Sequence, residues 1–239
     1  MTSLSPTEVK RYSRHIVLRG VGGDGQQKLK AARVLVVGAG GLGSPAIAYL
    51  AAAGVGTLGV VDHDTVGLSN LQRQVIHQSS GIGMPKAESA AQFVAGLNPH
   101  VTFVPHAERI TADNAARLMT GYDMVLDGTD NFSTRAVTAA AAQAAGLPLV
   151  SGAVSMFDGQ VTVFMPKGPQ FTDLYPDTPD EADLPACEVV GVLGAVTGVI
   201  GTLMAMEAIK LITGVGEPLV GRLLLYDGRA ARFDEMQYG

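Results

Sequence analysis

Arg33-Val-Leu-Val-Val-Gly-Ala-Gly-Gly-Leu-Gly-Ser44 is the stretch on which the fold turns. Arg33 to Val37 carry β-branched and apolar residues without alternation, the pattern of a short strand buried on both faces. Gly38, Gly40 and Gly43 then set the spacing G-x-G-x-x-G ahead of a run of small residues that predicts a helix over 42–53. Glycines there permit a tight turn and a close backbone approach, and the free N–H groups of a helix start face an anion. The next apolar strand, Thr57-Leu-Gly-Val-Val-Asp62, ends in an acid nineteen residues after Gly43, where a ribose hydroxyl is held in dinucleotide folds. These residues specify a nucleotide site and leave the nucleotide open.

Outward from that point, strands are predicted at 33–37, 57–62, 101–105, 123–127 and 147–151, and helices at 42–53, 85–97, 111–119 and 132–145. Strict alternation of this kind gives a doubly wound, Rossmann-like and mostly parallel α/β sheet, with its ligand crevice at the carboxyl ends of the strands. Residues 1–32 read as a helical arm, in which Ser5-Pro6-Thr7-Glu8 is a helix start and Gly20 to Gly25 breaks the helix before a short one over 26–32. The core is then 33–151 and the remainder, 152–239, an antiparallel extension of the sheet within one domain. In it, hairpins are expected through Phe157-Asp-Gly-Gln160 and through Asp227-Gly228. Five prolines and five acids between Pro166 and Ala186 point to a mobile crossover over about 166–188.

Composition narrows the classes. With 47% apolar and only 16% charged residues, the chain is a well-buried globule rather than a disordered one. A net charge of −5 leaves no electrostatic footprint for nucleic acid. The single cysteine, Cys187, excludes an intramolecular disulfide and fits a reducing, cytoplasmic setting, as does the polar start Met1 to Lys10. Val189 to Met206 is uncharged over the length of a membrane span. Glycines at 191, 194, 198 and 201, with Glu207 and Lys210 following, favour a buried or subunit-interface helix instead.

Chemistry gathers at the strand ends. Ser69-Asn-Leu-Gln-Arg-Gln74 is a loop too rich in hydrogen-bonding groups for a routine connection, Lys86 opens the next helix, and Asp127-Gly-Thr-Asp-Asn131 closes the fourth strand. One crevice is therefore expected to collect Asp62, Asn70, Arg73, Lys86 and Asp130 around the glycine loop. Two cations suit a triphosphate, and a carboxylate suits Mg²⁺ held through phosphate oxygens. Taken singly, each residue has a plainer reading: Lys86 and Arg14 as solvated helix charges, Asp130 as a helix cap, Arg73 as a salt-bridge partner.

Taken together these motifs resemble the MoeB/ThiF adenylyltransferases, bacterial relatives of the ubiquitin-activating enzymes. The resemblance runs from Arg11-Tyr-Ser-Arg-His15 to the strand ending at Asp227 and includes Gly198-Val-Ile-Gly-Thr-Leu-Met-Ala-Met-Glu-Ala-Ile-Lys210. It implies ATP and Mg²⁺ as cofactors, and adenylylation of the C-terminal Gly-Gly of a small ubiquitin-like sulfur carrier of the MoaD/ThiS type, in molybdopterin or thiamine biosynthesis. It also implies a homodimer in which Arg14 reaches the neighbour's nucleotide. By the same carry-over, Gly38, Gly40, Gly41, Gly43, Asp62, Ser69, Asn70, Arg73, Lys86, Asp130 and Asn131 bind ATP. Arg14, Arg73, Lys86 and Asp130 form the catalytic set, with Asp130 on Mg²⁺.

Two departures from the family pattern follow. A structural zinc held by two C-x-x-C pairs is common in the family, but the first pair here reads Gln170-Phe-Thr-Asp173 and the second falls at the end, Gln237-Tyr-Gly239, so no structural zinc is expected. Cys187 matches a position that carries a sulfur-linked adduct in some relatives, and equally reads as a cysteine without a role. An NAD-dependent oxidoreductase shares Gly38 to Asp62 but leaves Arg73, Lys86 and Asp130 unexplained. A non-catalytic scaffold for a ubiquitin-like tail leaves the phosphate residues unexplained.

Overall fold

The computed structural model describes residues 3–177 and 191–239. Its frame is one eight-stranded sheet in the order β3-β2-β1-β4-β5-β6-β7-β8. The strands are β1 (Arg33–Val37), β2 (Thr57–Val61), β3 (Thr102–His106), β4 (Met124–Asp127), β5 (Leu149–Ser155), β6 (Asp158–Phe164), β7 (Arg222–Asp227) and β8 (Arg232–Gln237). The first five are parallel neighbours, and β5 through β8 run antiparallel. From β1 the chain winds to β2 and β3 on one side, then returns to lay β4 on the other. Strand order therefore reverses between β1 and β4, whose pairing runs from Val34↔Met124 to Val37↔Asp127. A crevice outside the carboxyl ends of these two strands follows from that reversal.

Both faces of the central strands β1, β2 and β4 are covered, which is why they lack alternation. Val34 and Val36 face one core with Ile47 and Leu50 of α4 (Gly43–Ala53) and Ile200 and Met204 of α9 (Gly194–Thr213). Leu35 and Val37 face the other, with Leu118 of α6 (Ala115–Met119) and Ala139 of α7 (Phe132–Ala145). Helix α5 (Lys86–Leu97) lies on the α4 side and gives Ala90 and Val94 to that core. Helix α9 is long and apolar enough to cross a membrane by length and composition alone. Here it packs on α4 at Gly201, where a side chain would overlap the Leu42 carbonyl and Pro45. At its far end buried Glu207 pairs with Lys210 and accepts the Leu219 N–H at 2.9 Å. The edge strand β8 is exposed throughout and carries Arg232, Asp234 and Glu235, charges that discourage pairing with another edge.

The arm comprises α1 (Pro6–Arg11), α2 (Ser13–Ile16) and α3 (Gly22–Ala31). The capping box at Ser5 and Glu8 forms as its spacing predicts. The helix breaks within the glycine run as expected, but the next helix starts at Gly22, before the expected Gln26. The break lies at Gly20 and Gly22, both at positive φ (95° and 62°), and α3 already runs through Gly25, whose small size admits Val21 and Thr213.

Three other boundaries differ, each for a physical reason. The helix predicted over 111–119 begins only at Ala115, because the Asn114 side-chain Oδ1 accepts the Thr111 N–H at 2.8 Å and closes a turn before it. The strand expected to stop at 151 continues to Ser155, so the hairpin turns at Met156-Phe157 and not at Asp158-Gly159. Gly159 lies inside β6 because a side chain there would overlap Ile200 of α9; the glycine admits a helix and does not make a turn. Finally, of the expected crossover, residues 178–188 lie outside the described residues, and residues 166–177 carry local structure. They form α8 (Phe171–Leu174) and place Phe171 and Tyr175 4.8 Å apart in an aromatic cluster that extends through Phe164 to Tyr238. Gln170 and Asp173 are engaged in the α8 cap.

Candidate nucleotide site

A cleft of about 950 Å³, counting solvent at its mouth, opens at the β1/β4 reversal. Gly38, Gly40, Gly41 and Leu42 form one wall. Gly38 (φ 94°) makes the turn, and Gly43 starts α4 so close to the Gly38 carbonyl that a side chain would overlap it. The Gly38 N–H is bonded to Val61 O and the Ala39 N–H to Asp62 Oδ2, each at 2.8 Å. Among the described residues the N–H groups of Gly40, Gly41 and Leu42 have no partner. Three free donors at the start of an eleven-residue helix make an anion cradle.

The opposite walls supply charge. Asp62 is buried, with Oδ2 on the Ala39 N–H and Oδ1 on the Asp64 N–H (2.9 Å), and each oxygen keeps a lone pair for a further donor. Lys86, buried at the start of α5, puts Nζ 2.9 Å from Asp64 Oδ2, and its backbone N–H donates to Asp64 O. Partial burial works against charge on Asp64, but the Lys86 hydrogen bond and charge, then His63 and Arg109, hold its carboxyl below the usual range. Arg109 donates to His63 Nε2 at 2.6 Å. Arg73 donates to Ser69 O at 3.1 Å from the loop after β2.

The β4–α7 loop closes the site. Asn131, not Asp130, caps α7: its Oδ1 accepts the Thr134 N–H at 2.9 Å. Asp130 is thereby left exposed on the cleft. Behind it Asp127 is fully buried, its Oδ1 bonded to Thr129 and its Oδ2 without a partner, and desolvation pushes its pKa up despite Arg135. Arg135 donates twice to Thr129 O and fixes the loop.

Of the residues expected from sequence, the structure brings Gly38, Gly40, Gly41, Asp62, Arg73, Lys86, Asp130 and Asn131 to one cleft. It leaves Gly43, Ser69, Asn70 and Arg14 outside the lining. Asn70 Oδ1 closes a local turn on the Gly67 N–H at 3.0 Å, and Arg14 on α2 is exposed with no bonded partner among the described residues. Cys187 lies outside the described residues. Sequence reasoning missed Asp64, His77, Arg109 and Arg135. Asp64 was within reach, since Asp62-His-Asp64 places two acids on one loop at the strand end.

A doubly wound sheet with a glycine cradle, two buried acids and several cations at its strand reversal defines a nucleotide-phosphate-binding domain. The chain belongs to the ThiF family, whose model matches residues 12–239. It is 49% identical over 236 residues to the SAMP-activating enzyme E1 of Haloferax volcanii, covering 99% of this chain and 87% of that one. It is 46% identical over 235 residues to the sulfur carrier protein adenylyltransferase of Thermus thermophilus, covering 96% of this chain and 87% of that one. Among solved structures, E. coli MccB with ATP has the same fold, with a TM-score of 0.83 at 21% identity over 98% of this chain and 72% of that one.

Proposed function

We propose that this chain is an adenylyltransferase that uses ATP and Mg²⁺ to activate the C-terminal Gly-Gly of a ubiquitin-like sulfur carrier in the cytoplasm, for sulfur transfer in molybdopterin or thiamine biosynthesis. The observation that carries the reading is the meeting of three free loop N–H groups, Lys86, Arg73 and Asp130 in one cleft. Relatives at 46–49% identity named as an adenylyltransferase of a sulfur carrier and as an activating enzyme support it. The nucleophile is the carrier's terminal carboxylate, ionised at neutral pH with a pKa of about 3.3–3.7, so no general base is needed. Its oxygen forms a bond to the α-phosphorus as the bond from that phosphorus to the bridging oxygen breaks, and pyrophosphate carries the electron pair away. The protein's task is alignment and charge stabilisation.

In this reading Asp62 receives a ribose hydroxyl on its spare lone pairs. The N–H groups of Gly40, Gly41 and Leu42, with Lys86 and Arg73, take the phosphate oxygens. Asp130 fits Mg²⁺, because its carboxylate is released from capping by Asn131 and one carboxylate plus phosphate oxygens is a usual set for that ion. When bound, Mg²⁺ neutralises phosphate charge. Arg14, solvent-exposed and without a bonded partner among the described residues, serves the cleft of a second copy in a homodimer. A mixed dimer of Arg14→Ala and Asp130→Ala subunits tests this. If Arg14 crosses, one site keeps both residues and about half the wild-type activity returns, by the count of intact sites. If each Arg14 serves its own subunit, every site lacks one residue and the mixture stays inactive.

A further inference from the structure

His77 takes no part in that reading, yet it is buried (6% exposed) directly behind the nucleotide loop. Its Nε2 lies 2.9 Å from Ala39 O and its Nδ1 2.9 Å from Ser89 Oγ of α5. A carbonyl only accepts, so Nε2 carries the proton and Nδ1 accepts from the Ser89 hydroxyl. Desolvation presses the His77 pKa below the ordinary imidazole value, and the charge of Lys86 adds to it, against the Ala39 bond and Asp62. The neutral ring suits both bonds.

The direction of the bond to Ala39 matters. In a trans peptide the C=O and the following N–H point opposite ways. With the Ala39 carbonyl drawn inward by His77, the Gly40 N–H is turned outward, into the cleft that Gly40 lines. Asp62 holds Ala39 from its other side through the Ala39 N–H. We propose that His77 is a positioning residue of the nucleotide loop, aiming the Gly40 N–H at a phosphate oxygen, with Ser89 fixing its tautomer.

This rests on the ATP reading above, and the test separates the two. Affinities for ATP–Mg²⁺ and for adenosine are measured by calorimetry, with the thermal midpoint, for wild type, His77→Phe and His77→Gln. Phe fills the space without a donor, whereas the Gln amide restores one at similar reach. His77→Phe is expected to weaken ATP about 10–100-fold, the effect of one lost bond to a charged group, while adenosine affinity stays unchanged. His77→Gln should recover most of the loss. Unchanged ATP affinity in His77→Phe overturns the inference, as does an equal loss of ATP and adenosine, which marks general disruption. If His77→Phe does not fold, Ser89→Ala takes its place: a smaller loss confined to ATP supports the role, and unchanged ATP affinity overturns it. A wild-type chain that binds no ATP removes the ATP reading, and this inference with it.

Discussion

Replacing Lys86 by Met separates the chemistry of the cleft from its stability. The thioether fills much of the buried stem's space but carries no charge. In the folded protein the ammonium is 2.9 Å from Asp64, whose side chain is 51% exposed. Water screens the carboxylate left behind, so the pair's loss should cost only about 0–1 kcal/mol of stability. For a domain of this size that shifts the thermal midpoint by no more than about 4 °C. Activity should respond on a different scale. An oriented donor that meets developing charge on a departing phosphate typically contributes about 10²–10³ in kcat, or roughly 2.7–4 kcal/mol. Carrier-dependent exchange of pyrophosphate into ATP reads the chemical step, and thermal denaturation reads the fold. An exchange rate within threefold of wild type would refute the phosphate role of Lys86. So would a midpoint drop large enough to account for the lost activity by unfolding.

Other parts of the account are open to simple tests. Gly159→Ala forces a methyl into Ile200 of α9 and should destabilise the fold by about 1–3 kcal/mol in urea titration, as overpacking does; a neutral result would mean α9 yields at that point. Glu8 joins α1 to α3 within the arm: burial opposes its charge, but the Lys30 and Ser5 hydrogen bonds lower its pKa from 4.5 to about 2. A depressed acid stabilises above its unfolded pKa. Wild type should therefore exceed Glu8→Gln in thermal midpoint at pH 7, and the difference should shrink as pH falls from about 4.5 toward 2. A difference constant over that range would contradict the ionic role.

Much of this fold was legible because local signals and tertiary need agreed. The strand at Arg33–Val37, the helices opening at Gly43 and Lys86, and the acid after β2 all fall within a residue or so of their predicted places. Expectation failed where a glycine answered to a distant element. Gly159 carried the signature of a turn, but its neighbour Ile200 lies 41 residues along the chain and no local pattern announces it. The same holds in the site. Arg73 and Asp130 stand in polar loops at strand ends and Lys86 opens a helix beside them, where the fold class directs attention. His77 and Arg135 act by holding the backbone of loops formed elsewhere, and a lone His or Arg has no sequence pattern for that task. Asp130 and Asn131 show a finer limit: either residue can cap α7, and only the structure assigns the cap to Asn131.

The central claim, that the cleft activates a terminal carboxylate with ATP, is tested most directly by radiolabelled pyrophosphate exchange into ATP with a ubiquitin-like carrier ending in Gly-Gly. The account predicts exchange that requires both this chain and the carrier, and that disappears when the carrier's last two glycines are deleted. Exchange independent of the carrier's tail, or none with any such carrier while the chain binds NAD, would contradict it.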